Sequence, residues 1–412
     1  MTEPEAKPRK SSSMEKLAEI MMGYYLEAKS PPEARNNRKI AWITSGGPVE
    51  PLIAMDMIPI YPENHAAMIG ASKMGGGLCA RAEEMGYSGD LCSYARSDIA
   101  CSTINGGPIG GLPAPDLLVC CNNICGTVMK WYEVQARYYG APLFIFDTPI
   151  CHTEFSEEAR KYVIPQFTDY IAVLETVCGK KMNLDTLLEV GARSLEAQRL
   201  WQNILDTTTA RPSPMTAFDA FFYLALIVTL RGRQVIVDFY KDLLAEMKQK
   251  VADGIGVLKE EKYRLLWDNL PIWYKMRWLS KKFALKGACL VADTYTSAWC
   301  SSLKYINEDD LLNSLAEAYT RIYLNIGVDQ MADTVVEMIH KYDVDGLVMH
   351  SNRSCKPYSF GQFDIEKIIK ARTGIPTLMI EADMVDERNF AESQIDTRID
   401  VFLEILEKAR RK

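Results

Sequence analysis

The chain has 412 residues, a formal net charge of −7, 48% hydrophobic residues and 25% charged ones. That length suffices for two or three domains and that apolar content for a large core, while the negative balance argues against a nucleic-acid-binding surface. No apolar run is long enough to span a bilayer, and Lys16 and Glu19 break the first one, so neither a membrane span nor a signal peptide is expected. The chain is therefore placed in the cytoplasm, where its 11 cysteines stay reduced.

Residues 1–13 lack apolar anchors and are expected to form a disordered tail, followed by an amphipathic helix over 14–28. The pattern then alternates: strand 40–44, a glycine turn and helix, strand 58–61, a glycine-rich stretch, helix 91–103, strand 117–121, helix 127–139 and strand 143–147. Strands alternating with helices imply a parallel sheet. Residues 157–283 read as almost wholly helical, most clearly over 184–206 and 235–252. A second α/β unit follows, with strands at 288–292, 346–350 and 377–381 and helices at 310–326, 331–340, 362–372 and 390–410. The expected division is 1–38 (tail and N-terminal helix), 39–156 (first α/β domain), 157–283 (helical segment) and 284–412 (second α/β domain).

The two α/β units resemble each other. PDLLVCCNNIC (115–125) ends in Asn122-x-x-Cys125, and VDGLVMHSNRSC (344–355) ends in Asn352-x-x-Cys355. Each cysteine follows its strand and precedes a helix, and each helix runs to a glycine turn and another strand, from Gly140 and from Gly374. This pattern predicts two Rossmann-like parallel-sheet domains related by internal duplication, plus the helical segment. Ligands of open α/β sheets bind beyond the carboxyl ends of the strands. Two facing units would therefore aim Cys125 and Cys355 into one cleft, each at a helix N-terminus whose dipole favours a thiolate. Thiolates bind iron and zinc. No C-x2-C pair exists, so zinc-ribbon and ferredoxin spacings are excluded, and any cysteine cluster must be assembled from distant parts of the chain. Cys92, in GDLCSYARSDI, also starts a helix. On spacing alone it reads rather as a small core residue, with a third ligand as the alternative.

Five stretches, YPENHAA (61–67), GDLCSYAR (89–96), PDLLVCCNNICGTVMKWYE (115–133), HSNRSCKPYS (350–359) and DERNFAESQIDTRI (386–399), resemble the 2-hydroxyacyl-CoA dehydratase and benzoyl-CoA reductase family. The similarity runs from about residue 38 to 410 and is greatest to the substrate-binding, alpha-type subunits of the 2-hydroxyisocaproyl-CoA and phenyllactyl-CoA dehydratases. It implies that Cys92, Cys125 and Cys355 ligate a 4Fe-4S cluster with one iron free of cysteine, and that Ser45 and Glu63 stand beside that open site. It further implies an acyl-CoA substrate, a related second cluster-bearing subunit in a heterodimer, and an ATP-hydrolysing iron–sulfur activator protein. The implied reaction is a dehydration. One electron converts an (R)-2-hydroxyacyl-CoA into a ketyl radical anion, which expels the 2-hydroxyl, loses a β-proton and returns the electron to leave the enoyl-CoA. Glu63 would assist hydroxide departure or move the proton, and Ser45 would hydrogen-bond the hydroxyl or the iron-bound oxygen. Without the resemblance, Glu63 also reads as an N-cap for the helix behind it. Related readings are a benzoyl-CoA reductase subunit acting on an aromatic ring and a double-cubane-cluster reductase; a cluster-carrying electron-transfer protein is the reading without a substrate.

Other residues are assigned lesser roles. Cys120 reads as core, Cys121 as bordering the cleft, and Cys79, Cys101, Cys178, Cys289 and Cys300 as structural. Cys151-His152 has the residue types of a nucleophile pair, but adjacent side chains rarely face each other. KMGGGL (73–78) lacks a following Lys-Ser/Thr and is not a P-loop. The mix of aromatics and bases at 273–287 reads as a solvated helix face over core, with a contact to CoA phosphates as the alternative.

Overall fold

The computed structural model describes residues 12–104 and 106–410. The expected tail lies outside that range except for residues 12 and 13, which open the helix Ser12–Lys29. Eight strands follow: β1 (Ile40–Ile43), β2 (Ile58–Ile60), β3 (Leu117–Cys121), β4 (Leu143–Phe146), β5 (Tyr263–Asp268), β6 (Ala288–Asp293), β7 (Gly346–Asn352) and β8 (Thr377–Ala382). They make two four-stranded sheets, ordered β2-β1-β3-β4 and β6-β5-β7-β8. Every pairing is parallel, with Trp42 opposite Leu118 in the first sheet and Val348 opposite Leu378 in the second. Counted within each half, both sheets have the order 2-1-3-4. The duplication expected from Asn-x-x-Cys is thus a duplication of whole sheet topology.

Strand β5 corrects the sequence reading. It lies inside the stretch expected to be helical (157–283), so the second sheet begins before residue 284. Its sequence, YRLLWD, is buried at every position, and Arg264 interrupts the apolar run that would mark a central strand. Arg264 is tolerated at the core because its guanidinium donates to the carbonyls of Thr208 (2.6 Å) and Tyr342 (2.8 Å) and pairs with Glu261 (2.6 Å). Strands β1, β3 and β6 are likewise buried throughout, as a parallel sheet covered on both faces requires.

The helical stretch is not a separate body. Helices Leu184–Asp206 and Gln234–Ala252 pack together, and Ala217–Thr229 lies against both Ser12–Lys29 and β6. One apolar core runs from Trp42 through Trp201 and Ile227 to Val291 and Leu347, welding the two sheets into one unit. The glycine turns sit where the repeat placed them. Gly140 (φ 64°) and Gly374 (φ 68°) each cap a helix in the left-handed conformation. The helix expected over 310–326 is shorter, Leu311–Thr320, because the Asn325 amide takes the Thr320 carbonyl at 2.8 Å and turns the chain into the short 3-10 helix Tyr323–Asn325. No helix among the described residues is long and apolar enough to cross a membrane.

Candidate active site

One cavity lies at the carboxyl ends of both sheets. Its wall takes Ser45 from beyond β1, Glu63 from beyond β2 and Cys125 from beyond β3. The other half supplies Leu270, Tyr295 and Cys355, from beyond β5, β6 and β7. Cys125 and Cys355 thus occupy matching positions in the repeat. Cys92, the residue that spacing left open, lines the same cavity.

Each of these thiols accepts backbone N–H groups at a helix start: Cys92 from Tyr94 and Ala95, Cys125 from Thr127 and Val128, and Cys355 from Tyr358. Those contacts favour the thiolate, as expected from sequence, but burial outweighs them. Desolvation pushes Cys92 up to about 12 and raises Cys125 and Cys355 as well, with Cys125 adding to the rise at Cys92 and both other thiols adding to that at Cys355. Three half-buried thiols whose ionisation desolvation opposes make a poor nucleophile. They make a good ligand set, because a bound iron centre supplies the positive charge that holds thiolates. Among the described residues no three His, Cys, Asp or Glu side chains are close enough to grip one metal ion. Thiols that each attach to a different iron of a cluster need not converge on one point, so a three-thiol cluster site does not require such a group.

The residues beside the cysteines join the two halves. Ser354 Oγ accepts the Ser93 amide at 3.2 Å and bonds the Ser93 hydroxyl at 3.1 Å, so the loops carrying Cys92 and Cys355 are stitched together one residue away. Arg96, fully buried one turn on, donates to the Leu91 carbonyl (3.0 Å), to Glu83 (2.6 Å) and to Asp386 beyond β8 (3.4 Å). The asparagines of the repeat differ in their work. Asn122 accepts the Thr148 amide (2.7 Å) and hydroxyl (2.8 Å), whereas the Asn352 side chain is buried without a partner.

Glu63 is the second residue of helix Pro62–Ala71 and not its N-cap, which is Tyr61. Its carboxyl accepts the Ser45 amide at 3.1 Å and the Tyr132 hydroxyl at 3.1 Å. Burial lifts it from 4.5 to about 7, against the pull of those hydrogen bonds. A carboxyl poised there can both give and take a proton near neutral pH.

A buried ion pair in the cavity wall escaped the sequence reading. Arg231 sits 3.5 Å from Glu50, and both are buried. Isolated charges in PVEP and RGR carry no periodic or motif signal, so sequence offered no way to find them. Cys121 is also corrected: it is not among the residues lining the cavity and packs with Phe146, Phe167 and Tyr319. Cys151 is buried and bridged to Ile326, while His152 is exposed, so they form no pair. The glycines of KMGGGL serve close packing, since a Cβ at Gly75 would lie 2.1 Å from the Val385 carbonyl oxygen. Three of the bases of 273–287 are engaged on the last helix: Lys275 pairs with Glu392, Lys286 lies 3.6 Å from Asp400, and Lys282 bonds Asp396 and Asp400 at 2.8 Å each.

The fold and cavity define a duplicated α/β protein whose two halves share one thiol-bearing cleft. Comparison with known proteins places that class. Residues 44–406 match the family model for 2-hydroxyglutaryl-CoA dehydratase, D-component, and the chain belongs to this family. It is 33% identical over 403 residues to the lactoyl-CoA dehydratase subunit alpha of Anaerotignum propionicum, covering 93% of this chain and 95% of the relative. It is 35% identical over 377 residues to the (R)-2-hydroxyisocaproyl-CoA dehydratase alpha subunit of Clostridioides difficile, covering 91% of each. A benzoyl-CoA reductase subunit of Thauera aromatica is 30% identical over 418 residues, covering 97% of this chain and 96% of the relative.

Proposed function

We propose that the chain is the alpha-type subunit of a cytoplasmic (R)-2-hydroxyacyl-CoA dehydratase, a hydro-lyase, with Cys92, Cys125 and Cys355 holding a 4Fe-4S cluster. The observation that carries this reading is the meeting of those thiols, from both halves of the repeat, with the Glu63 carboxyl in one cavity. The dehydratase alpha subunits among the relatives support the substrate class and a partner subunit.

When bound, the cluster supplies one-electron chemistry and an open iron that acts as a Lewis acid. A related second subunit and an ATP-hydrolysing activator would deliver the electron under anaerobic conditions, and the substrate would react as its ketyl radical. This chain contributes positioning and proton handling. Ser45 faces the substrate hydroxyl as a hydrogen-bonding partner. Glu63, held by the Ser45 amide and Tyr132, moves the proton or assists hydroxide departure. The Ser93–Ser354 stitch fixes the spacing of two thiols across the halves.

Anaerobic reconstitution tests the reading. The wild-type chain should take up about four irons and the Cys125→Ala variant should lose the broad brown absorbance. Full iron content in that variant removes the ligand assignment, and about eight irons in the wild type points to a double cluster. The similarity to the Thauera aromatica benzoyl-CoA reductase chain favours ring reduction as the second reading. Turnover of benzoyl-CoA, and not of 2-hydroxyacyl-CoA, by the activated complex would establish it.

A further inference from the structure

We infer that the cavity takes a 2-hydroxyacyl thioester whose side chain is uncharged and apolar, accepting branched aliphatic and phenyl groups and refusing a terminal carboxylate. The inference rests on the dehydratase reading and names the substrate class of that same site.

Besides the thiols, the wall is built in part by Trp131, Tyr295, Trp299, Leu315, Ile322 and Leu324. None carries a charge, and their ring faces and branched ends suit an aliphatic or aromatic group. Arg231 is the single cation among the described lining residues, and it is already committed. Its Nη2 donates to the Gly47 carbonyl (3.2 Å) and to the Tyr319 hydroxyl (3.1 Å). The Tyr319 hydroxyl in turn donates to Glu50 at 2.5 Å. Glu50 lies 3.5 Å from Arg231 Nε, and the guanidinium rests over the rings of Trp299 (5.4 Å) and Tyr319 (5.8 Å). The positive charge is cancelled inside the wall.

An incoming carboxylate has two options. It can capture Arg231 and strand Glu50 as a buried, unpaired anion, or it can remain unpaired itself, in a wall that already holds Glu63 and backs onto Glu50. Either outcome leaves an uncompensated charge away from water, which is strongly unfavourable. An apolar side chain asks for neither and gains contact area with the rings.

The test is equilibrium binding to the cluster-loaded chain in complex with its partner subunit, without activator, followed by visible or EPR perturbation. The probes are (R)-2-hydroxyacyl-CoA esters bearing isobutyl, benzyl and carboxyethyl side chains. The isobutyl and benzyl esters should bind at least about 100-fold more tightly than the carboxyethyl ester. Trp299→Ala should weaken the benzyl ester about tenfold and leave the carboxyethyl ester weak. Should that variant fail to fold, the wild-type ranking decides. Equal or tighter binding of the carboxyethyl ester overturns the inference and leaves the dehydratase reading standing. Binding of none of the esters overturns both.

Discussion

Glu63 is clamped from two directions, by an amide beyond β1 and by a tyrosine hydroxyl from helix Thr127–Tyr139, and it titrates near 7 because burial disfavours its charge. Glu63→Gln keeps the shape and one acceptor but cannot carry a proton. At equal iron content its turnover should fall by roughly 10²–10⁴-fold, the usual span for general acid–base catalysis. Near wild-type turnover would remove Glu63 from the chemistry. The same substitution has a stability signature. The folded protein holds the Glu63 proton up to about pH 7 while the unfolded chain releases it near 4.5, so this group's contribution falls as pH rises between those values. The wild type should therefore lose on the order of 3 kcal/mol relative to Glu63→Gln across that window, read by denaturant titration at each pH. His350 works in the opposite sense. Burial lowers it from 6.5 to about 4, and its Nδ1–H donates to the Leu270 carbonyl at 2.7 Å. Stability linked to His350 is lost as pH falls from 6.5 toward 4, and His350→Gln should flatten that acid limb; an unchanged limb would place the acid sensitivity elsewhere.

At the scale of elements, the thiols are set by helix starts, and the helix starts are set by their neighbours. The helix beginning at Ser93 is tied to the loop before Lys356–Ser359 through the Ser93–Ser354 contacts, both residues being buried. Ser354→Ala should leave the Ser93 amide and hydroxyl without this partner and cost about 1–3 kcal/mol. Because the stitch lies between two of the proposed ligand thiols, cluster retention should also suffer. Iron should leave the Ser354→Ala protein several-fold faster under chelator, while a Ser301→Ala control, remote from the stitch, keeps the wild-type rate. Equal rates in both variants would make the stitch a matter of folding alone. Gly75 belongs to the same scale. Its helix approaches Val385 so closely that a methyl group there meets the backbone carbonyl, and Gly75→Ala should push apart the helix and the loop that carries Asp386.

For the whole molecule, two copies of one sheet topology face each other, and each contributes a thiol at the matching position. Cys92 has no counterpart in that symmetry, so the proposed ligand set is asymmetric by one residue. Loss of Cys125 from one half or of Cys355 from the other should therefore be equally destructive to iron content. A variant of either half that kept full iron would show that the cluster does not bridge the repeat. The alpha-subunit relatives support an obligate partner. The purified chain with activator alone should give less than about a hundredth of the rate of the reconstituted complex. Full turnover by the single chain would rule the partner out.

Much of this was written in local sequence. The apolar runs at Leu117–Cys121 and Gly346–Asn352, the helices capped at Gly140 and Gly374 and the repeated Asn-x-x-Cys marked the duplicated α/β class, because strand burial and left-handed caps are short-range demands. The matching motifs likewise singled out the cysteines, Ser45 and Glu63. Other features were settled only when the chain closed on itself. Strand β5 hid behind Arg264, whose charge is tolerable at the core only because Thr208, Tyr342 and Glu261 arrive to meet it. The thiols' tendency to stay protonated, the Glu63 titration near 7 and the Arg231–Glu50 pair all depend on how much water packing removes and which groups replace it. Desolvation and long-range partners belong to the assembled interior, where residues up to a few hundred positions apart become neighbours, and no pattern along the chain encodes them.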